Sequence, residues 1–189
     1  MAKDQIEAIV IGGSAGSLDV LLEVLPGLRA GFEIPVIIIL HRKYYNGDIL
    51  VNLLSAKTLL TVKEVEEKEF ILPGYVYIAP ADYHLLVEKD RTMSLDDSEK
   101  INYSRPSIDV SFESFAKCFK ERLAGIILSG ANADGTEGIK IIKEHNGITI
   151  AQLPDEATVS YMPQNAISDG YIDSVLNTEG IISFLNNLK

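Results

Sequence analysis

A single cysteine, Cys118, leaves no partner for a disulfide within the chain and suits a reducing compartment such as the cytoplasm. It falls in Phe112-Glu113-Ser114-Phe115-Ala116-Lys117-Cys118-Phe119, where apolar spacing assigns it to helix packing. Thiolate metal clusters are excluded with the missing cysteines, and no His/Asp/Glu spacing replaces them, so neither a metal nor another cofactor is expected. No apolar run approaches the length that crosses a bilayer. The start, Met1-Ala2-Lys3-Asp4-Gln5-Ile6-Glu7, lacks the apolar stretch of a secretory signal. Basic residues are also short: 17 Lys and Arg stand against 27 Asp and Glu, a net charge of −10. That balance opposes nonspecific binding to nucleic-acid phosphates, and no nucleic-acid partner is expected. Much of the acidity is clustered, at Lys63-Glu64-Val65-Glu66-Glu67-Lys68-Glu69 and Glu88-Lys89-Asp90, and reads as solvated rim. Repeats and low-complexity linkers are absent.

What is present is an alternation of short apolar runs with helical patterns over 189 residues, 47% of them hydrophobic, enough for one sizeable core spanning 1–189. Ile6 to Ile11 reads as a strand. Leu18, Leu21, Leu22, Leu25 and Leu28 follow at helical spacing to near Gly31. Ile34 to Leu40 is continuously apolar, as in a parallel strand covered on both faces. Asp48 begins a helix with Leu50, Leu53 and Leu54, and Leu59 to Val65 is a further strand. Gly74 to Pro80, Tyr83 to Glu88 and Arg91 to Leu95 then read as antiparallel hairpins inserted on the main sheet. Arg105-Pro106-Ser107-Ile108-Asp109 opens a helix anchored by Val110, Phe112, Phe115 and Phe119. Strand, helix, strand, helix, extended segment and a helix capped by Thr178 complete the chain. The fold class is α/β: one doubly wound, mostly parallel sheet with flanking helices and an antiparallel hairpin insertion.

Three strand ends carry chemistry. Gly12-Gly13-Ser14-Ala15-Gly16-Ser17 follows Ile9-Val10-Ile11, His41 follows Val36 to Leu40, and Ser129-Gly130-Ala131-Asn132-Ala133-Asp134-Gly135 follows Ile126-Ile127-Leu128. If these strands are parallel neighbours, a serine, a histidine and an aspartate emerge at the rim where open α/β sheets bind ligands. Gly12 to Gly16 satisfies the bare G-x-S-x-G pattern. A serine hydroxyl needs an imidazole to take its proton, and the helix start behind Ser14 offers N–H groups, that of Ala15 first, to a developing oxyanion. The same turn can instead cradle a phosphate, with Ser17 as an N-cap, although neither G-x-G-x-x-G nor G-K-[ST] is complete. His84 and His145 compete with His41 as base. Asp82 and Asp109 compete with Asp134 as acid; Asp134 alternatively caps the helix at Thr136, and Asp109 alternatively pairs with Arg105.

The order of these segments, with Leu72-Pro73-Gly74, Tyr77-Ile78-Ala79-Pro80-Ala81-Asp82-Tyr83-His84, Arg105 to Val110, Asp134-Gly135, Ile150-Ala151-Gln152 and Met162-Pro163, resembles the catalytic domain of the chemotaxis protein-glutamate methylesterase family, the CheB family. The resemblance implies Ser14 as nucleophile, His41 as general base and acid, and Asp134 as the group that orients it. It implies removal of methyl esters from receptor glutamates, and deamidation of particular glutamines, through an acyl-serine. Gly13, Ala15, Gly16, Ala131 and Met162 are the expected oxyanion and pocket residues, and Arg42, Tyr44, Tyr45 and Arg105 the expected substrate contacts. The implied partner is a methyl-accepting chemoreceptor or related signalling protein, with a separate response regulator or methyltransferase as further partners. The implied location is the cytoplasm, with recruitment to membrane receptor arrays.

Departures from the family pattern are also visible. The family's usual N-terminal receiver domain is not within the sequence, so phosphorylation in the same polypeptide is not expected. Ser17 stands where a second adjacent glycine is usual, Arg42-Lys43-Tyr44-Tyr45-Asn46 replaces a hydrophobic, proline-rich segment, and Ala131-Asn132-Ala133 replaces methionine and glycine. These changes leave a second reading, a weakly active or inactive signalling scaffold that binds a receptor or methyltransferase. A nucleotide-binding reading of the first glycine turn is opposed by the near-complete family pattern.

Overall fold

A computed structural model describes residues 5–42 and 48–188. Tyr44 and Tyr45 lie outside the described residues. In chain order the elements are β1 (Ala8–Gly13), α1 (Ser17–Val24), β2 (Val36–Leu40), α2 (Ile49–Ser55), β3 (Thr61–Glu64), β4 (Glu69–Phe70), β5 (Tyr75–Ile78), β6 (His84–Val87), β7 (Thr92–Asp96), α3 (Ile108–Phe119), β8 (Leu123–Ile127), α4 (Thr136–Glu144), β9 (Ile148–Gln152), α5 (Tyr161–Ser168), β10 (Ser174–Leu176) and α6 (Thr178–Asn186).

Seven strands form one sheet in the order β10-β9-β8-β1-β2-β5-β3, every neighbouring pair parallel. Side chains alternate across each strand. Ile9, Ile11, Val36 and Ile38 pack with Val20, Leu21 and Val24 of α1 and Ile181 and Leu185 of α6 on one face. Ala8, Val10, Ile37 and Ile39 pack with Phe112 and Phe115 of α3 and Ile139 and Ile142 of α4 on the other. Double coverage is why β1, β2 and β8 are buried at every position and carry apolar runs instead of alternation. The chain builds outward from β1 toward β3 first, then returns to lay β8, β9 and β10 on the other side. The strand order therefore switches direction at the β1–β8 boundary, and a crevice beyond the carboxyl ends of these strands is the expected ligand position.

One sequence expectation fails. Tyr75–Ile78 is not part of a hairpin: β5 lies between β2 and β3, parallel to both. Its alternation is that of a buried strand with one polar anchor, since the fully buried Tyr77 accepts from Leu72 N–H and donates to the Phe70 carbonyl through its hydroxyl. The antiparallel insertion is the three-stranded β4-β7-β6 sheet, whose Leu85, Val87 and Met93 extend the core beneath α3. Helix starts also differ in detail. Asn177, not Thr178, caps α6 by accepting from Gly180 N–H at 2.8 Å. Ser107 caps α3, so Pro106 stands before the helix and not in its first turn. Among the described residues no helix is long and apolar enough to cross a membrane.

Candidate active site

The register of the central strands determines which loops meet. Gly13 pairs with Leu40 and Gly12 with Ile127, so the residues just beyond them share one rim. His41 N–H donates to the Gly13 carbonyl at 3.1 Å, and Ser14 N–H donates to the Ser129 carbonyl at 2.9 Å. Ser14 thus sits between the β2 and β8 loops. Its own carbonyl accepts from the N–H and, at 2.6 Å, the hydroxyl of Ser17. Ser17 therefore tightens the turn and does not cap α1; Gly16 is the N-cap, with φ +80, a left-handed value that glycine adopts without strain. Ala15 is exposed at that helix start.

His41 Nε2 and Asp134 Oδ2 are 2.6 Å apart. Asp134 is fully enclosed and His41 keeps a small exposed edge. The carboxylate is unusually well served: Oδ2 also accepts from Ile108 N–H at 2.7 Å, and Oδ1 accepts from Asp109 N–H and the Ser107 hydroxyl, each at 3.0 Å. Burial acts to raise the Asp134 pKa, but the hydrogen bonds from His41, Asp109 and Ile108 and the His41 charge outweigh it and hold the carboxyl below its ordinary value. Asp134 consequently does not cap the helix that follows it. It closes the N-terminus of α3, the helix across from it. An ionised Asp134 accepts the Nε2 proton and leaves Nδ1 as the basic nitrogen. Nδ1 lies 3.4 Å from the side-chain nitrogen of Asn132, and among the described residues no hydrogen bond joins it to the Ser14 hydroxyl.

Ser14 and His41 line one cavity of about 430 Å³, whose remaining walls are Ser17, Leu18, Leu40, Arg42, Ile49, Leu50 and Leu53. It is mainly apolar apart from the serines, His41 and Arg42. A second hollow of about 440 Å³ opens on the other side of His41, between Arg42, Asp82, Lys100, Tyr103, Ser104 and Arg105. A larger one, about 490 Å³, lies at the amino ends of β2, β3 and β5 around Phe32, Leu60 and Gly74, away from this rim.

The chain as a whole matches a known family. The profile of the CheB methylesterase family aligns with residues 9–185. The chain belongs to the CheB methylesterase family. A putative protein-glutamate methylesterase/protein-glutamine glutaminase of Leptospira interrogans is 44% identical over 188 residues, covering 97% of each chain. The protein-glutamate methylesterase/protein-glutamine glutaminase of Thermotoga maritima is 36% identical over 89% of this chain, which spans 50% of that protein. The crystal structure of the Thermotoga maritima CheB methylesterase catalytic domain superposes with a TM-score of 0.92 at 34% identity, over 95% of this chain and 97% of that one.

Within this CheB fold the other candidate residues take ordinary places. His84 is buried, accepting from Ser107 N–H through Nδ1 and facing the Glu99 carbonyl through Nε2; His145 Nδ1 faces the Ile141 carbonyl at a helix end. Asp109 does not pair with Arg105. Arg105 donates to the Asp97 and Ser98 carbonyls at 2.5 and 2.7 Å, and Arg42 pairs with Glu64 at 2.5 Å. Ala131 is exposed on the β8 loop, whereas Met162 is fully buried and donates its N–H to the Gly130 carbonyl, so it packs in the core beside that loop. Ser107 and Asn132 touch Asp134 and His41, roles that the sequence alone does not assign them; a Ser before a helical pattern signals the first, and the departure at Ala131-Asn132-Ala133 marks the segment of the second.

Proposed function

We propose that this protein is a protein-glutamate methylesterase, and a protein-glutamine glutaminase, that acts on chemoreceptor side chains through an acyl-serine. The single observation that carries the chemistry is the His41–Asp134 pair, 2.6 Å apart, with His41 and Ser14 lining one cavity. His41 Nδ1 takes the Ser14 proton as the Oγ attacks the side-chain carbonyl of a glutamate methyl ester. The tetrahedral oxyanion is held by the Ala15 N–H and by the positive end of α1, which no side chain caps. Collapse passes the proton from His41 to the departing methoxide, so methanol leaves and Ser14 carries a glutamyl ester. Water, deprotonated by His41, then releases the glutamate carboxylate. With glutamine the leaving group is ammonia. Asp134 stays ionised and stabilises the imidazolium. Rotation of the Ser14 side chain toward Nδ1 completes the relay, in keeping with catalytic hydrogen bonds that tighten only with substrate bound.

The apolar cavity suits the methylene stem of a glutamyl side chain and the methyl group it bears. Gly13 and Gly16 let the turn around Ser14 pack closely, since a Cβ on Gly13 would lie 2.5 Å from Ser17 Cβ and one on Gly16 would run into Thr158, and Ala131 sits on the β8 loop. The partner is a methyl-accepting receptor, with Arg42 and Arg105 on the rim that its helix crosses. The experiment is methanol release from methylated receptor by the wild type, Ser14→Ala and His41→Ala. Release by the wild type alone supports the reading, and equal release by all three sinks it. Stable receptor binding without turnover by the wild type would favour a scaffold, a role to which the Asn132 contact on His41 Nδ1 lends itself.

A further inference from the structure

Beside Asp134 lies a second, half-buried carboxyl group that the acyl-transfer steps do not use. Asp109 Oδ1 accepts from Gly135 N–H at 2.8 Å and from Gly138 N–H at 2.7 Å, closing the N-terminus of α4. Asp134 in turn accepts from the backbone N–H groups of Ile108 and Asp109 at the start of α3. Each aspartate therefore closes the first turn of the other's helix. The helices approach this closely because residue 138 is glycine: a Cβ there would lie 2.6 Å from Phe112 Cβ and 3.1 Å from the Asp109 backbone. The Asp109 backbone N–H donates to Asp134 Oδ1 at 3.0 Å, so the two side chains are held beside each other.

Two adjacent carboxylates removed from water do not both ionise readily, and the better-solvated one keeps the charge. Asp134 has His41, two backbone N–H groups and the Ser107 hydroxyl. Asp109 has two N–H groups on one oxygen. Burial pushes the Asp109 carboxyl up to about 7, the Asp134 charge adds to the rise, and the Gly138 and Gly135 N–H groups oppose it.

We propose that Asp109 is a positioning residue of the acyl-transfer site: its Oδ1, held on the Gly135 and Gly138 N–H groups, ties the 132–135 loop to the start of α3 and so aims Asp134 Oδ2 at His41 Nε2. The inference rests on the Ser14–His41–Asp134 reading of the site and deepens it. Asparagine keeps an oxygen for the two glycine N–H groups without a titrating group. Alanine has none.

The test measures kcat and KM on a peptide carrying a glutamate γ-methyl ester. In parallel, NMR of the substrate-free protein follows the downfield His41 Nε2 proton bonded to Asp134. Asp109→Ala should lower kcat about 10- to 100-fold through misplacement of the pair, with KM little changed, and move the His41 proton upfield. Asp109→Asn should match the wild type in both. If Asp109→Ala does not fold, Asp109→Ser, a polar side chain one bond too short to reach the Gly135 and Gly138 N–H groups, carries the same expectation as alanine. Wild-type kcat and resonance in Asp109→Ala or Asp109→Ser would overturn the proposal, as would an asparagine variant as impaired as alanine. Absence of hydrolysis by the wild type would instead overturn the acyl-transfer reading, while the resonance, which needs no substrate, still judges Asp109.

Discussion

The start of α1 and the paired starts of α3 and α4 present the same physical feature, exposed N–H groups and a positive helix end, and use it in opposite ways. At α3 and α4 the groups are spent on carboxyl oxygens of the fold itself: those of Asp134 and Asp109 occupy them from across the interface. At α1 a glycine stands at the N-cap, among the described residues no side chain accepts from the first turn, and Ala15 faces solvent. A filled helix end holds an acid in place and fixes its ionisation. An unfilled one waits for negative charge that exists only during reaction. The division explains why the acid half of the site is rigid and multiply bonded while the nucleophile half is open.

The comparison is broken most severely on the open side. Ser14→Ala removes the proposed nucleophile and nothing that the fold uses, so methyl-ester hydrolysis should fall on the order of 10⁴-fold or more. Its urea midpoint should correspond to a stability change within about 0.5 kcal/mol. A variant that loses stability and activity together would place Ser14 in the structural half. On the filled side the two losses should coincide. Asp134→Asn sets an amide against groups that only donate, and should lower kcat roughly 10²- to 10⁴-fold by freeing the wrong imidazole tautomer. It should also destabilise the protein by about 1–3 kcal/mol, since at least one buried donor loses its partner. Kinetics and denaturation on the same preparation check both.

The two halves were unequally legible from sequence. The open half is local: glycines around Ser14, a strand before it and a helix after it lie within ten residues, and the pattern is readable there. The filled half is assembled from residues 25 positions apart, with Asp109 N–H on Asp134 and Asp109 Oδ1 on Gly135. From sequence alone, Asp134 reads equally well as a cap for its own helix, because spacing carries no information about the helix opposite. The fold shows the same division. Strands with continuous apolar runs were assigned to the parallel sheet correctly. Tyr75–Ile78 was misread because its tyrosines and the following Pro80 suggest a ribbon, and only the burial of Tyr77 between neighbouring strands reveals a central position.

A smaller effect, confined to the filled side, appears in the pH dependence of stability. Asp109 holds its proton in the folded protein up to about 7, whereas an unfolded chain releases it near 4. Between those values the folded state binds the extra proton, so stability declines as pH rises through the window, and the penalty is complete above it. Asp109→Asn removes the titration, and its advantage over the wild type should grow steadily from pH 4 to 7. Asp134 acts in the opposite sense: its lowered pKa contributes stability above about pH 4 that is lost as pH falls further. Urea midpoints at pH 5, 6, 7 and 8 for both proteins measure the Asp109 contribution. A constant difference across that range would show that Asp109 is ionised in the fold.

The smallest change expected is at Ser107, which serves both functions of the filled side in miniature. Its hydroxyl donates to Asp134 Oδ1 at 3.0 Å and accepts from Val110 N–H at 3.4 Å as the N-cap of α3. Ser107→Ala should cost about 1 kcal/mol, the ordinary value of a helix cap. Asp134 keeps its bonds to Ile108, Asp109 and His41, so kcat should fall only a few-fold. Thermal denaturation and steady-state kinetics separate the two. A loss of activity as large as that of Asp134→Asn would mean that the backbone donors do not by themselves hold the carboxylate, and the contrast between a fully occupied helix end and an open one would rest on a single hydroxyl.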